Sequence, residues 1–536
     1  MDQLMLLSVA LPLLLAPWVL RGGRWSWLLA VAPLPALLTA LLLPVGSGMH
    51  LPWLLLGTHL HLDGTAQLLL LFSSLVWLAA ALQLLTTRSG LFGRIGFAVG
   101  FTSAMAGNFL LLLAADAVTF YVGFALMGLS VYGLVLPQRG QRARRAGQVY
   151  LAFTLGGEVA LFAGIALLAV SADSLLFADL AQQSLPAAAV FLLLAGFGIK
   201  LALPGLHLWL PLTYRLAPAA AVAVLSGPMM KAGLVGWMRF LPPGAPGLDA
   251  WGMPLLILGS LGVVLGVLLG VLQHKPRAVL AYSSVAKMGL VSAVYGIALR
   301  HPTLAESLVP ALLLFAVHHL LVKAALFLGV DLFERGGARR PLLIALGVLA
   351  AVLAAAPFSA GFAAKSALGA ALHGELTLLM VLSAIGTAWL MIRFMVVLAG
   401  TPSTPVALSL PAALGFAAIG VLSLSAPFSP ASLGFESSSL YPLVLAALSA
   451  LAARGLVVRT AQAMPRPGLL LGAGVRLLAA VRHWSGRPLP AFPLPVTGIR
   501  ALLNRPSPQV DPTWTGGGIR WLAVLGSMAL LGLALN

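Results

Sequence analysis

Six lysines occur in the 536-residue chain, and five of them, Lys200, Lys231, Lys287, Lys323 and Lys365, stand inside long apolar stretches. Arginine is placed in the opposite way: of 25, only Arg393 lies well inside such a stretch. A charge at the centre of a bilayer costs on the order of 3 kcal/mol, so ionisable residues kept there are normally functional and paired. The preference for lysine has a chemical logic, because a desolvated lysine can release its proton whereas arginine stays charged. One lysine near a span end can snorkel to the surface, but five together point to proton exchange. Lys287 is the weakest of them, since Tyr282 to Lys287 reads as close to a span end. Glu158 is the one carboxylate well inside a stretch, and His318 and His319 share a stretch with Lys323. His319 is one helical turn before Lys323, on the same face, and histidine adds a site that titrates near neutral pH. Glu158, Lys200, Lys231, His319, Lys323 and Lys365 therefore form the main set, with His207, His318, Lys287 and Arg393 as secondary candidates.

The elements that must position these groups follow from composition. Apolar residues make up 60% of the chain and charged ones 8%, against about 25% charged in an average soluble domain. That excludes a soluble enzyme and a disordered chain. Apolar runs of about 20 residues fall near 3–20, 25–44, 65–86, 95–114, 117–136, 148–170, 187–212, 217–238, 251–273, 278–298, 306–330, 341–371, 377–399, 406–428, 438–453 and 521–535. They are continuous rather than alternating, which excludes a membrane β-barrel and predicts an all-α polytopic membrane protein of about 14–16 transmembrane helices.

Most of the net charge of +18 lies in loops after odd-numbered runs, among them Arg88, Arg94, Arg142, Arg144, Arg145, Arg335, Arg339 and Arg340. By the positive-inside rule those loops are cytoplasmic and the N-terminus is outside. Met1-Asp2 has no basic lead, so the first run reads as a retained helix rather than a signal peptide. Residues 459–518 mix arginine with proline and read as a basic cytoplasmic or interfacial segment, with a short amphipathic helix near 470–484.

Two of the lysines lie where a helix must break. Lys200 sits in Gly196-Phe-Gly-Ile-Lys-Leu-Ala-Leu-Pro-Gly205, and Lys365 follows Pro357-Phe-Ser-Ala-Gly-Phe-Ala-Ala364. Backbone groups freed by such breaks belong in a protein interior or a hydrated cavity, and broken helices in matching positions mark transporter repeats. Glu158 precedes Lys200 by 42 residues and Lys323 precedes Lys365 by 42, so the pairs repeat across five spans. Five is odd, so the second unit is expected to be inverted, with Lys231 answering roughly to Arg393. The resulting division is N-terminal helices at 1–94, a first repeat at 95–240, a second, inverted repeat at 251–399, C-terminal helices at 406–458, the basic segment at 459–518 and a last helix at 519–535.

At these residues the chain resembles the antiporter-like subunits of respiratory complex I, with their relatives in Mrp-type antiporters and membrane-bound hydrogenases. The matching motifs are Gly198-Ile-Lys-Leu-Ala-Leu-Pro-Gly-Leu-His-Leu-Trp-Leu-Pro211, the run from Ala217 to Gly233, Leu280-Ala-Tyr-Ser-Ser-Val285, His319-Leu-Leu-Val-Lys-Ala-Ala-Leu-Phe-Leu-Gly329 and Gly361-Phe-Ala-Ala-Lys365. The resemblance implies a fourteen-helix core with Lys200 as the central lysine of one half-channel, Lys231 and Lys323 as connecting groups, Lys365 as the terminal lysine and His207 as the family's histidine before Trp-Leu-Pro. One departure is chemical: Ala125 stands where the family usually carries a glutamate, and Glu158, one span later, is the candidate substitute.

Three functions remain open on the sequence. The first is a proton-translocating membrane subunit of a complex I-like assembly in a bacterial inner membrane. The second is the proton channel of an inorganic-carbon uptake complex with a zinc partner resembling carbonic anhydrase. The third is a cation/proton antiporter subunit of the Mrp type carrying Na+. No dinucleotide fingerprint, haem ligation pattern or cysteine cluster is present, so no cofactor is expected on this chain. Redox or zinc chemistry would belong to partner subunits.

Overall fold

The computed structural model describes residues 2–85, 95–135, 141–172, 174–336, 339–402, 409–425 and 444. The apolar runs at 438–453 and 521–535 and the basic segment 459–518 lie outside the described residues, apart from Val444.

Every earlier run becomes a helix or a short series of helices. The chain opens with α1 (Gln3–Val19), α2 (Leu28–Val31) and α3 (Leu34–Leu42), followed by β1 (Gly48–Leu51) and β2 (Thr58–His61). Next come α4 (Gly64–Leu85), α5 (Ile95–Leu113), α6 (Ala117–Val135), α7 (Gln141–Ser171) and the short α8 (Phe177–Leu180). The first broken span is α9 (Ala187–Lys200) with α10 (Trp209–Leu216). It leads to α11 (Ala219–Val224) and α12 (Met230–Phe240), joined by a π-helical turn at Leu225–Met229. Then follow α13 (Asp249–Val271), α14 (Pro276–Arg300), α15 (Pro302–Glu334), the second broken span α16 (Arg339–Leu353) with α17 (Ala360–Ala371), α18 (Thr377–Ala399) and α19 (Leu410–Ser425).

Among the described residues, nine helices are long and apolar enough to cross a membrane. The count falls below the apolar runs because α1 and α19 are shorter and the runs at 25–44, 187–212 and 341–371 are divided. A short antiparallel β1–β2 hairpin, which sets His50 against His59, connects α3 to α4 in this otherwise helical fold. Gly46, Gly48, Pro52 and Gly57 stand in this segment, and Gly46 and Gly57 adopt positive φ, so no helix runs through it.

The interior of the bundle is formed by α14, α15 and the α11–α12 span, which are wholly or almost wholly buried, while α13 faces largely outward. Those interior helices carry Lys287, His318, His319, Lys323 and Lys231. Glycine draws two helix pairs close. A Cβ on Gly107 would lie 2.6 Å from the Gly123 carbonyl between α5 and α6, and one on Gly289 would lie 2.6 Å from the Gly259 carbonyl between α13 and α14. Without a strong hydrophobic drive between helices in lipid, small residues at the contact supply the packing.

Both broken spans end their first half in the same way. Leu203 N–H reaches Gly198 O and Ala202 N–H reaches Ile199 O, while Ala356 N–H reaches Ala351 O and Ala355 N–H reaches Val352 O. This is the Schellman bond pattern, with alanine at the left-handed position in each case (φ 55° and 63°). An alanine there costs roughly 1–2 kcal/mol, so the surrounding packing holds both breaks.

The end of the bundle bearing Arg277 and Arg335 is tied by Asp331 and Glu334 of α15. Asp331 of α15 accepts from Gln83 Nε2 of α4 at 2.6 Å and from Arg335 at 2.8 Å. Arg277 reaches Asp331 at 3.4 Å and Glu334 at 2.7 Å and donates to the Ala217 carbonyl at the α10–α11 joint. Asp331→Asn removes the charge that two guanidiniums share and is expected to cost about 2–3 kcal/mol, read as a lower thermal midpoint in detergent.

Candidate functional site

Lys200, Lys231 and Lys323 are each held by a backbone or side-chain oxygen. The π-helical turn before Lys231 contains the non-helical Gly227 and leaves the Ser226 carbonyl to accept from Lys231 Nζ at 2.8 Å. Such insertions are frequent at functional sites. Lys231 Nζ also lies 2.9 Å from His319 Nδ1, a hydrogen bond whose donor is set by which of the two groups holds the proton. This contact joins α12 to α15 and is a direct link along which a proton can pass.

Lys323, one turn beyond His319 and fully excluded from solvent, donates to the Leu280 carbonyl of α14 at 2.7 Å and to the Ser283 hydroxyl. The Leu-Ala-Tyr-Ser-Ser-Val motif is therefore the seat of this ammonium. Lys323 lies in the field of Lys231 and Lys287. Lys287 is not near a span end: α14 begins at Pro276, which places Lys287 mid-helix, buried, with its ammonium 5.5 Å from the Phe315 ring. The stretch from Tyr282 to Ser284 dilutes the apolar signal there and hides the true helix start. Lys287 and Lys365 sense each other electrostatically, and Lys365 is half-buried on α17. His318 is buried, and a Cβ on Gly361 of α17 would lie 3.2 Å from its Nε2.

Lys200 occupies the last position of α9, where the helix dipole favours a cation. Its ammonium donates to Tyr150 Oη at 3.1 Å and lies 5.5 Å from the Phe124 ring. Trp209 Nε1 donates to the Ile199 carbonyl at 2.9 Å, folding α10 back onto the end of α9, and its ring packs edge-on against Tyr150. Glu158 is buried and faces the same space, coupled electrostatically to Lys200. The residue that makes this space is Gly128 of α6: a Cβ there would stand 2.8 Å from Glu158 Oε1 and 3.0 Å from Lys200 Nζ.

Two secondary candidates sit apart from these clusters. His207 lies in the first break, edge-on to Tyr282 of α14 at 6.4 Å. Arg393 donates to the Gln273 carbonyl and to His274 in the α13–α14 connection. The lysines of the two breaks are also not equivalent: Lys200 precedes its left-handed alanine, whereas Lys365 follows its own, beyond the N-cap Ser359. The equal spacings in the sequence therefore do not align the two breaks residue for residue. No hydrogen bond joins Lys200 to Lys231 among the described residues, although Gly233 of α12 packs on the Lys200 Cβ. Sequence reasoning missed Tyr150, Ser226 and Gly128. Among the described residues no cluster of His, Asp and Glu has metal-holding geometry.

The family model for the transmembrane region of NADH:quinone oxidoreductase and Mrp antiporters matches residues 114–399, which hold every one of these groups. The chain belongs to this family. It is 31% identical over 284 residues to hydrogenase-4 component B of Escherichia coli, covering 50% of this chain and 42% of that one. It is 29% identical to NADH-quinone oxidoreductase subunit N of Deinococcus radiodurans, covering 46% and 53%. The matches thus span about half the length of these relatives. The fold is similar to that in the Mrp complex from Dietzia sp. DQ12-45-1b (TM-score 0.69, 20% identity, 100% of this chain and 63% of that one). It is also similar to respiratory complex I from Thermus thermophilus (TM-score 0.68, 22% identity, 83% and 98%).

Proposed function

We propose that this antiporter-like chain is a proton-translocating membrane subunit of a larger redox-driven assembly. The observation that carries the reading is the buried contact Lys231–His319 with Lys323 one turn away, because three such groups kept in a lipid-embedded interior have no structural use that apolar residues would not serve better. Protons would pass among Glu158, Lys200, Lys231, His319, Lys323 and Lys365, with Lys287 as a neighbour between Lys323 and Lys365. The arginine-rich loops would face the cytoplasm, and the five-span units would be inverted relative to each other. The chain offers no redox centre of its own in this reading, so the driving reaction belongs to a partner.

Purification of the tagged chain from its native membrane, with the accompanying subunits identified by mass spectrometry, tests the assembly. Quinone-reductase or hydrogenase-like subunits are expected. A single large soluble zinc protein would replace this reading with coupling to CO2 hydration, and sodium-dependent proton flux would replace it with cation exchange. Ser283→Ala, which removes one of the two oxygens holding the Lys323 ammonium, is expected to slow proton transfer about tenfold without loss of the complex, measured with a pH dye in proteoliposomes.

A further inference from the structure

We propose that Tyr150 is a second seat for the Lys200 ammonium, so that Lys200 moves across the Gly128 notch between the Tyr150 hydroxyl and the Glu158 carboxylate. The inference rests on the proton-pathway reading above and adds a positioning residue to it.

Tyr150, Thr154 and Glu158 recur every four residues on α7 and so share one face. The Tyr150 hydroxyl has one proton, and it is committed: Tyr150 donates to the Gly128 carbonyl at 2.7 Å. Its oxygen is left to accept, and it accepts from Lys200 Nζ at 3.1 Å. An acceptor with no proton to spare seats an ammonium and discriminates against a competing donor. Glu158 lies on the other side of the notch with both oxygens buried and, among the described residues, without a hydrogen-bond partner. The distances from Gly128 put the carboxylate and the ammonium at the rim of one small space, which the Thr154 methyl also borders, 3.3 Å from where a Gly128 Cβ would stand. Among the described residues, two phenols are coupled electrostatically to these groups, Tyr121 of α6 to Glu158 and Tyr214 of α10 to Tyr150.

Lysine has a flexible four-carbon stem, so the ammonium can serve either seat while the helices stay fixed. In a low-dielectric interior an ionised carboxylate outcompetes a neutral hydroxyl for the ammonium. A protonated Glu158 loses that advantage, and the Tyr150 seat then holds the ammonium. The position of Lys200 would thus report the protonation of Glu158. This device suits a chain with Ala125 on α6, where the carboxylate stands on α7 instead.

The test uses the purified complex in proteoliposomes, with Tyr150→Phe, Glu158→Gln and the double variant. Tyr150→Phe keeps the ring packed on Trp209 and removes the seat together with the bond to the Gly128 carbonyl. Isotope-edited infrared difference spectra, wild type minus Glu158→Gln, isolate the Glu158 carboxyl band, and Tyr150→Phe is expected to shift it to that of a lysine-paired carboxylate. The pH at half-maximal proton transfer is expected to move by about one unit, and in the Glu158→Gln background Tyr150→Phe is expected to add no further change. An unshifted Glu158 band, or an equal Tyr150→Phe effect with and without Glu158, would overturn the proposal. If the wild-type complex moves no protons the pathway reading falls, and the infrared band alone then decides the two-seat arrangement.

Discussion

Lys323→Met is expected to reduce proton transfer by the assembled complex on the order of 10²-fold while leaving its subunit composition unchanged. Lys323 is fully buried, and its ammonium is held between the Leu280 carbonyl and Ser283 on α14 while its own helix presents His319 to Lys231. It therefore stands where α12, α14 and α15 meet. Methionine has nearly the same length and no proton to give. Replacing a buried charge by an apolar side chain of similar volume is often neutral or stabilising, so the fold has no reason to fail. The Leu280 carbonyl still serves its helix. Proton flux against pH, measured beside the complex's elution profile, separates the two effects. Normal flux in Lys323→Met would remove this lysine from the path.

Gly361→Ala is expected to act through the fold instead. A methyl group at this position would collide with the Val352 carbonyl, the same carbonyl that accepts from Ala355 to close the end of α16. It would also press on His318 Nε2. The collision is with backbone, which cannot rotate away, so the α16–α17 break has to open. Overpacking of this kind costs about 3 kcal/mol or more, expected as a steep loss of folded chain from the membrane and a lower thermal midpoint. Gly369, eight residues on in the same helix, meets nothing within 4 Å, so Gly369→Ala is expected to be neutral or to gain up to about 1 kcal/mol from helix propensity. Equal midpoints for the two variants would contradict the close approach described at Gly361.

How much of this was legible before the structure differs residue by residue. The lysines stood out because an ammonium in an apolar run is chemically anomalous, and the same contrast exposed Glu158 and the two histidines. Their partners did not stand out. A tyrosine or serine in a helix is ordinary, and the carbonyl that holds Lys231 belongs to no distinctive side chain; only Gly227-Pro228 marks the turn that frees it. Gly128 works through what it lacks, which composition cannot reveal. Arg393 shows the reverse error: its run is apolar, but the long side chain reaches the α13–α14 connection. Helix breaks were readable from glycine and proline, yet their exact places were not, because both turn on an alanine held at positive φ by packing. The 42-residue spacings therefore suggested a registration of Lys200 with Lys365 that the two breaks do not share.

The central claim is that protons travel through the buried lysines, and it is tested most directly by dye-monitored proton uptake into proteoliposomes holding the purified complex, energised by its own driving reaction. Lys200→Ala and Lys365→Ala lie at the two ends of the proposed path. Each is expected to abolish coupled uptake while the subunits still co-elute. Full coupled uptake by both variants would contradict the account.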